Sequence, residues 1–127
     1  MFRLADVNLM LAEAVLRGGT EASRSDALGY VNDIRERAYG NESGNITEAQ
    51  LTLDFILDER ARELYTEATR RTDLIRFGKY TSGYSWNWKG GVKDGKDVDS
   101  KYTIVPIPEA ELSANPDLKA INTQYGF

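Results

Sequence analysis

The 127-residue sequence contains no cysteine and no histidine. Their absence removes the thiol nucleophile, the usual general base and the commonest soft and borderline metal ligands. Any chemistry would have to run on Asp, Glu, Ser, Thr, Tyr, Lys or Arg, and neither a cofactor nor a bound metal is expected. Without cysteine there is no disulfide, and the sequence says nothing about redox compartment. Positive charge is not in excess: Lys+Arg 16 stand against Asp+Glu 20, a net of -4, and no basic run offers a footprint for a phosphate backbone. A nucleic-acid partner is therefore not expected. Long apolar runs are missing as well, the first being broken by Asp6 and Asn8, so no membrane-spanning segment is expected. The N-terminal stretch carries acidic residues at its centre and does not read as a signal peptide. That leaves a cytoplasmic protein, or an exported one whose signal lies outside this stretch. Proline is scarce, and all three prolines fall at Pro106, Pro108 and Pro116.

What is there is mostly helical patterning on a chain of one domain's length, or part of one. Residues 2–17 carry one apolar stripe of Leu4, Val7, Leu11, Ala14 and Val15 and another of Leu9, Ala12 and Leu16, ending at Gly18-Gly19. A helix apolar around most of its circumference wants neighbours on several sides, which points to a piece of a larger protein. A second helix is predicted from Ser23 or Ser25, both suitable N-caps, to Tyr39, with Gly40 as its stop. Together the two read as an antiparallel hairpin of tetratricopeptide-like form. Thr47-Glu48-Ala49-Gln50 fits a capping box, from which a long third helix should run with Leu51, Leu53, Ile56, Leu57, Ala61, Leu64, Tyr65 and Ala68 inward. A break near residues 69–72 would turn "TDLIRFG" into a short fourth helix. Beyond Gly78 the composition shifts to Gly, Ser, Asp and aromatics without helical period, with a turn expected at Asp94-Gly95 and a helical turn "EAEL" opened by Pro108. The expected fold class is all-α: a helical hairpin (1–40), a pair of helices (47–78) and an extended, largely irregular tail (79–127).

The stretch 56–80 holds most of the ionic residues of interest. Glu59, Glu63 and Glu67 recur every four residues and would form a row of carboxylates on a continuous helix. Asp58 with Arg62, Glu67 with Arg70 and Arg71, and Asp73 with Arg76 lie within helical reach of one another. Exposed pairs of this kind contribute only about 0.3–0.5 kcal/mol each. So many charges are better explained if Glu59, Arg60, Arg62, Glu63, Glu67, Arg70, Asp73 and Arg76 form a structural network that clasps the backbone of the C-terminal loop. The catalytic alternative is a pair of carboxylates as in glycosidases. The flanking arginines would hold both ionised and deny one of them the raised pKa of a general acid, so no catalytic residue and no enzyme is expected.

"GYSWNWKGG" carries both tryptophans. In an extended stretch Tyr84, Trp86 and Trp88 would project to one side, where they could stack on a pyranose ring while Asn87 or Lys89 bonds its hydroxyls. The competing reading has the rings staple the loop onto the helices. Asp94, Asp97 and Asp99 do not match an EF-hand and read as a solvated turn. Asn41-Glu42-Ser43 and Asn45-Ile46-Thr47 fit the glycosylation sequon, which carries little weight if the source is bacterial.

The segments "RLADVNLMLAEA", "YVNDIRERA", "ILDERARELYTEATRRTDLIRFGKY" and "IVPIPEAELSANPDL", in this order and spacing, closely resemble the C-terminal part of the SusD/RagB family of outer-membrane nutrient-binding lipoproteins of Bacteroidetes. The resemblance implies a mostly helical, tetratricopeptide-like fold in a parent several times longer. It also implies a surface receptor that catches glycans or peptides and passes them to a SusC-like TonB-dependent transporter. The parent would sit on the extracellular face of the outer membrane, attached only through a lipidated N-terminus that this stretch does not include. A helical scaffold without a small-molecule ligand is the alternative. Glu67-Ala68 stands where the family usually has Glu-Gly, and Arg71 where Trp is common. Ala68 is expected to strengthen the helix and Arg71 to make its turn more polar.

Overall fold

The computed structural model describes residues 3–127, which separate into two compact units, one running to Asp73 and the other Leu74–Phe127. All regular structure among the described residues is helical. Met1 and Phe2, where the predicted first helix begins, lie outside the described residues.

In the first unit, α1 (Leu4–Leu16) packs against α2 (Arg24–Tyr39) and α3 (Leu53–Glu63). The choice between serines falls on Ser23, whose hydroxyl accepts from Asp26 N while the Asp26 carboxylate accepts from Ser23 N, a reciprocal capping box. The Ser23 hydroxyl, which also donates to Asp26 Oδ2 at 2.7 Å, and then the Ser23 backbone N–H hold the exposed Asp26 carboxyl below its ordinary pKa of 3.8. Gly40 ends α2 in the left-handed region, φ 73°. Leu9 and Ala12 of α1, Ala27, Val31 and Ile34 of α2, and Ile56 and Leu57 of α3 form the core with Ile46, Leu51 and Leu64. Each large aliphatic side chain so buried contributes about 1.5–3 kcal/mol. Asn32 fastens the intervening loop: its amide donates to Ile46 O at 3.2 Å and accepts from Ile46 N at 2.9 Å.

The predicted long third helix is shorter at both ends. The Thr47–Gln50 capping box forms, with Thr47 N donating to Gln50 Oε1 at 2.9 Å, yet it opens only the 3-10 turn Glu48–Gln50. Leu51 then turns extended and enters the core, and Thr52 starts α3 by accepting from Phe55 N at 3.1 Å. Burying Leu51 outweighs continuing the helix, and Arg24 braces the break, donating to Leu51 O at 2.6 Å and to Glu48 O, which also accepts from Leu51 N, at 3.1 Å. At the other end Arg3 donates to Glu63 O at 2.8 Å, placing a cation on the helix C-terminus. The chain reverses through Thr66 (φ 70°) and Ala68 (φ 60°) into α4 (Arg70–Arg76). Tyr65 and Ala68, predicted to face inward, are exposed, because α3 has ended before the helical phase reaches them. Ala68 therefore strengthens no helix; it occupies a backbone conformation that favours glycine.

In the second unit, the loop after α4 contains the 3-10 turns Lys89–Gly91 and Ser100–Thr103, and Pro108 opens α5 (Glu109–Ala114) as expected. The turn at Asp94-Gly95 is present, with Gly95 N donating to Val92 O at 2.9 Å, without flanking strands among the described residues. The 3-10 turn Pro116–Leu118 leads into α6 (Lys119–Gln124), a helix inside the stretch expected to be irregular. Helix α6 fixes the tail: Asn122 is buried, accepts from Ile107 N at 2.9 Å and donates to Ile107 O at 3.0 Å. Lys101 adds a bond to Gly126 O at 2.9 Å.

Candidate functional site

Two sets of residues singled out from the sequence lie in different units. In the first unit the ions converge on α3. Glu59 Oε2 accepts from Arg35 Nη1 at 2.8 Å and from Arg62 Nη2 at 2.6 Å, and Phe55 lies beneath both guanidinium groups. Arg60 reaches Asp6 Oδ1 of α1 at 2.8 Å and forms an ion pair with Asp73 Oδ2 of α4 at 2.9 Å. Glu63 lies between Arg37, at 2.6 Å, and Arg3, at 3.1 Å, while Arg3 also meets Glu67 at 2.7 Å. Arg70 donates to Leu57 O at 2.6 Å, and the guanidinium of Arg76 lies over the Phe77 ring at 5.0 Å. Glu59 pairs with Arg35 of α2 and Arg62 of α3, Arg60 with Asp6 of α1 and Asp73 of α4, and Glu63 with Arg37 of α2 and with Arg3, just before α1. Glu67 follows the end of α3 and belongs to no continuous carboxylate row. Contacts between residues 24 to 60 positions apart cannot be read from local spacing, which is why the acids and bases were legible and their partners were not.

In the second unit the aromatic loop is folded around Lys89. Its side chain is buried, and its ammonium donates to Tyr84 O at 2.5 Å and Asp97 Oδ1 at 3.3 Å and lies 5.0 Å from the centre of the Trp86 ring. A buried ammonium needs this full set of partners, and the ring supplies the cation–π part. Trp86 is flanked by Tyr80 and Tyr84, with ring centres 6.5 and 6.4 Å away, so two of the three predicted stacking rings pack against each other. The predicted alternation stops at Trp88, which takes a left-handed backbone, φ 71°. Hydrogen bonds from Trp88 N to Lys93 O at 3.2 Å and from Lys89 N to Trp86 O at 3.1 Å hold that conformation.

Exposure separates the predicted ligand residues. Trp88 is 68% exposed and Trp86 39%; Asn87 is exposed between them and Tyr84 is half-buried. Trp86 meets the loop's own cation with its ring, whereas Trp88 presents its indole to solvent. Sequence reasoning overlooked Lys89 as the organiser of the loop, naming it only as a hydroxyl donor. The available signal was a lysine directly after Trp88, three residues from Trp86 and followed by Gly90-Gly91. Among the described residues no group of three or more acidic side chains gathers as if to hold a metal ion, Asp94, Asp97 and Asp99 included. No described helix is long and apolar enough to cross a membrane.

Comparison with known proteins places the chain. The sequence model of the SusD family matches residues 1–125. The chain is 41% identical over 120 residues to the starch-binding protein SusD of Bacteroides thetaiotaomicron, an alignment that covers 93% of this chain and 20% of that protein. It is 34% identical over 123 residues to the SusD-like protein P25 of Formosa agariphila, covering 93% and 22%, and 34% identical over 108 residues to a SusD-like protein of Bacteroides ovatus, covering 80% and 19%. It spans about a fifth of the length of these curated relatives. With a match across nearly all its residues and an all-helical structure of the kind its motifs led one to expect, this chain belongs to the SusD family.

Proposed function

We propose that the chain is part of a cell-surface nutrient-binding protein of the outer membrane, one that captures a glycan and delivers it to a SusC-like TonB-dependent transporter. Membership of the SusD family and 41% identity to a starch-binding relative support a glycan as the substrate class. The observation that carries the reading to particular residues is the solvent-facing indole of Trp88, on a loop tied down by the buried Lys89. A rigid exposed aromatic stacks on the C–H face of a pyranose at little entropic cost, and the neighbouring Asn87 amide is placed to bond hydroxyls. Tyr84 and Trp86, whose rings pack together, keep the loop in shape. The role is binding, not catalysis, because Glu59 and Glu63 are each committed to two guanidinium groups.

Titration calorimetry with maltoheptaose tests this. Trp88→Ala is expected to weaken binding by about tenfold, corresponding to the loss of one stacked ring. Unchanged affinity would remove Trp88 from the site. The scaffold reading, a helical module without a small-molecule ligand, draws on the apolar residues exposed along α1, and it would be favoured if no saccharide bound at all.

A further inference from the structure

We propose that the cleft between Tyr80 and Tyr102 in the second unit is a separate subsite for a neutral hexose, distinct from the Trp88 edge; the proposal rests on the glycan-binding reading above. The cleft encloses about 520 Å³ and is lined by the two tyrosines, by Lys96, Asp97 and Asp99, and by Gly90. Its size lies within the roughly 300–1,000 Å³ of small-ligand sites. None of the four residues singled out from the sequence as ligand contacts lines it.

The walls are built before a ligand arrives. Lys89 ties Asp97 to Tyr84 O, Lys96 N donates to Lys89 O at 3.1 Å, and Val98 N donates to Thr81 O at 3.0 Å. Gly90, at φ 63°, leaves no room for a side chain: a Cβ there would lie 2.7 Å from Lys96 Cγ. A Cβ on Gly95 would lie 2.4 Å from Trp86 O, so the strand of chain carrying Lys96 and Asp97 is pressed against the aromatic segment. Such a cleft loses little ordering entropy on binding.

The lining selects the ligand class. Tyr80 and Tyr102 supply the aromatic part of the lining against which the C–H side of a sugar can pack, and Tyr102, with the Lys101 ammonium 5.6 Å from its ring centre, is half exposed. Asp97 Oδ1 already serves Lys89 and Asp99 Oδ1 accepts from Lys101 N at 2.9 Å, but a carboxylate has about four acceptor sites and takes further hydroxyl donors. The Lys96 ammonium supplies donors to ring or hydroxyl oxygens. A purely apolar ligand would desolvate three charged groups without return. Lys96 in the lining and the buried Lys89 bonded to Asp97 balance the two carboxylates, so no unpaired charge is left to offset that of a phosphate, sulfated sugar or uronate. A bare divalent cation lacks the ligand set, since no cluster of three acidic side chains forms among the described residues.

Backbone NMR of the 15N-labelled 127-residue chain distinguishes the outcomes, with maltotriose as the neutral probe and trigalacturonate as its charged counterpart. Maltotriose is expected to shift the amides of Gly90 and Val98. Tyr102→Ala should weaken that response about tenfold, and Lys96→Gln, at an exposed position that leaves the fold untouched, about threefold. Trp88→Ala should leave the Gly90 and Val98 shifts in place. If maltotriose perturbs only the amides around Asn87 and Trp88, and neither Tyr102→Ala nor Lys96→Gln matters, the cleft is not a subsite while the glycan reading stands. If maltotriose shifts no amide, both fail. Equal binding of trigalacturonate would overturn the assignment to neutral sugars.

Discussion

Arg60 is the buried arginine of α3. Its guanidinium is 5% exposed between Asp6 and an Asp73 carboxylate that is itself 4% exposed, whereas Arg62 two positions on is 54% exposed. Replacing one partner of a buried pair strands the other charge, so Arg60→Leu is expected to lower stability by about 3–5 kcal/mol in urea denaturation. Arg62→Ala should cost no more than about 1 kcal/mol. Equal losses would mean that burial does not set the strength of these pairs. Ala68 offers the opposite case. At φ 60° a side chain costs about 1–2 kcal/mol and a glycine in its place gives back part of that in unfolded-chain entropy, so Ala68→Gly should raise stability by roughly 0.5–1 kcal/mol. A lower thermal midpoint in this variant would show that the left-handed turn is not strained. The departure from the family's usual Glu-Gly was visible in the sequence, but its meaning was not, because a helical reading of residues 64–68 made alanine look favourable.

Among the elements, α2 was legible almost to the residue, since Ser23, Asp26 and Gly40 are local signals that act within a few bonds of the backbone they cap. Helix α3 was not, because Thr47 and Thr52 are rival caps five residues apart and only the burial of Leu51 decides between them. Helix α6 was missed for a related reason: its anchor is one Asn122 amide bonding a backbone fifteen residues away, which leaves no periodic trace. The first helix behaves as its pattern implied. It buries Leu9 and Ala12 and leaves Leu4, Val7, Met10 and Leu11 between 36% and 75% exposed. An apolar face of that kind seeks a partner in water. Sedimentation velocity of the chain should show concentration-dependent association, and the double variant Leu4→Gln, Leu11→Gln should return it to monomer. A chain that stays monomeric at every concentration would show that this face needs no partner.

At the scale of the molecule, the two units rely on one shared device. Asn32 brackets Ile46 in the first and Asn122 brackets Ile107 in the second, each amide standing in for the strand that an extended backbone would otherwise need. The candidate site was legible as a place, because tryptophans two apart in a Gly-rich segment stand out. Its geometry was not, because the loop is shaped by a cation folded inward against Trp86, and the Tyr80–Tyr102 cleft joins residues more than twenty apart.

The enclosure of Lys89 has a chemical consequence. Under brief treatment with an amine-acylating reagent, the exposed Lys93 and Lys96 should be modified first and Lys89 spared, as read by peptide mass spectrometry. Once the chain is unfolded the three should react alike, so the ratio of their labelling becomes an internal gauge of whether the aromatic loop is intact. Early acylation of Lys89 in the folded chain would mean that this amine is open to water.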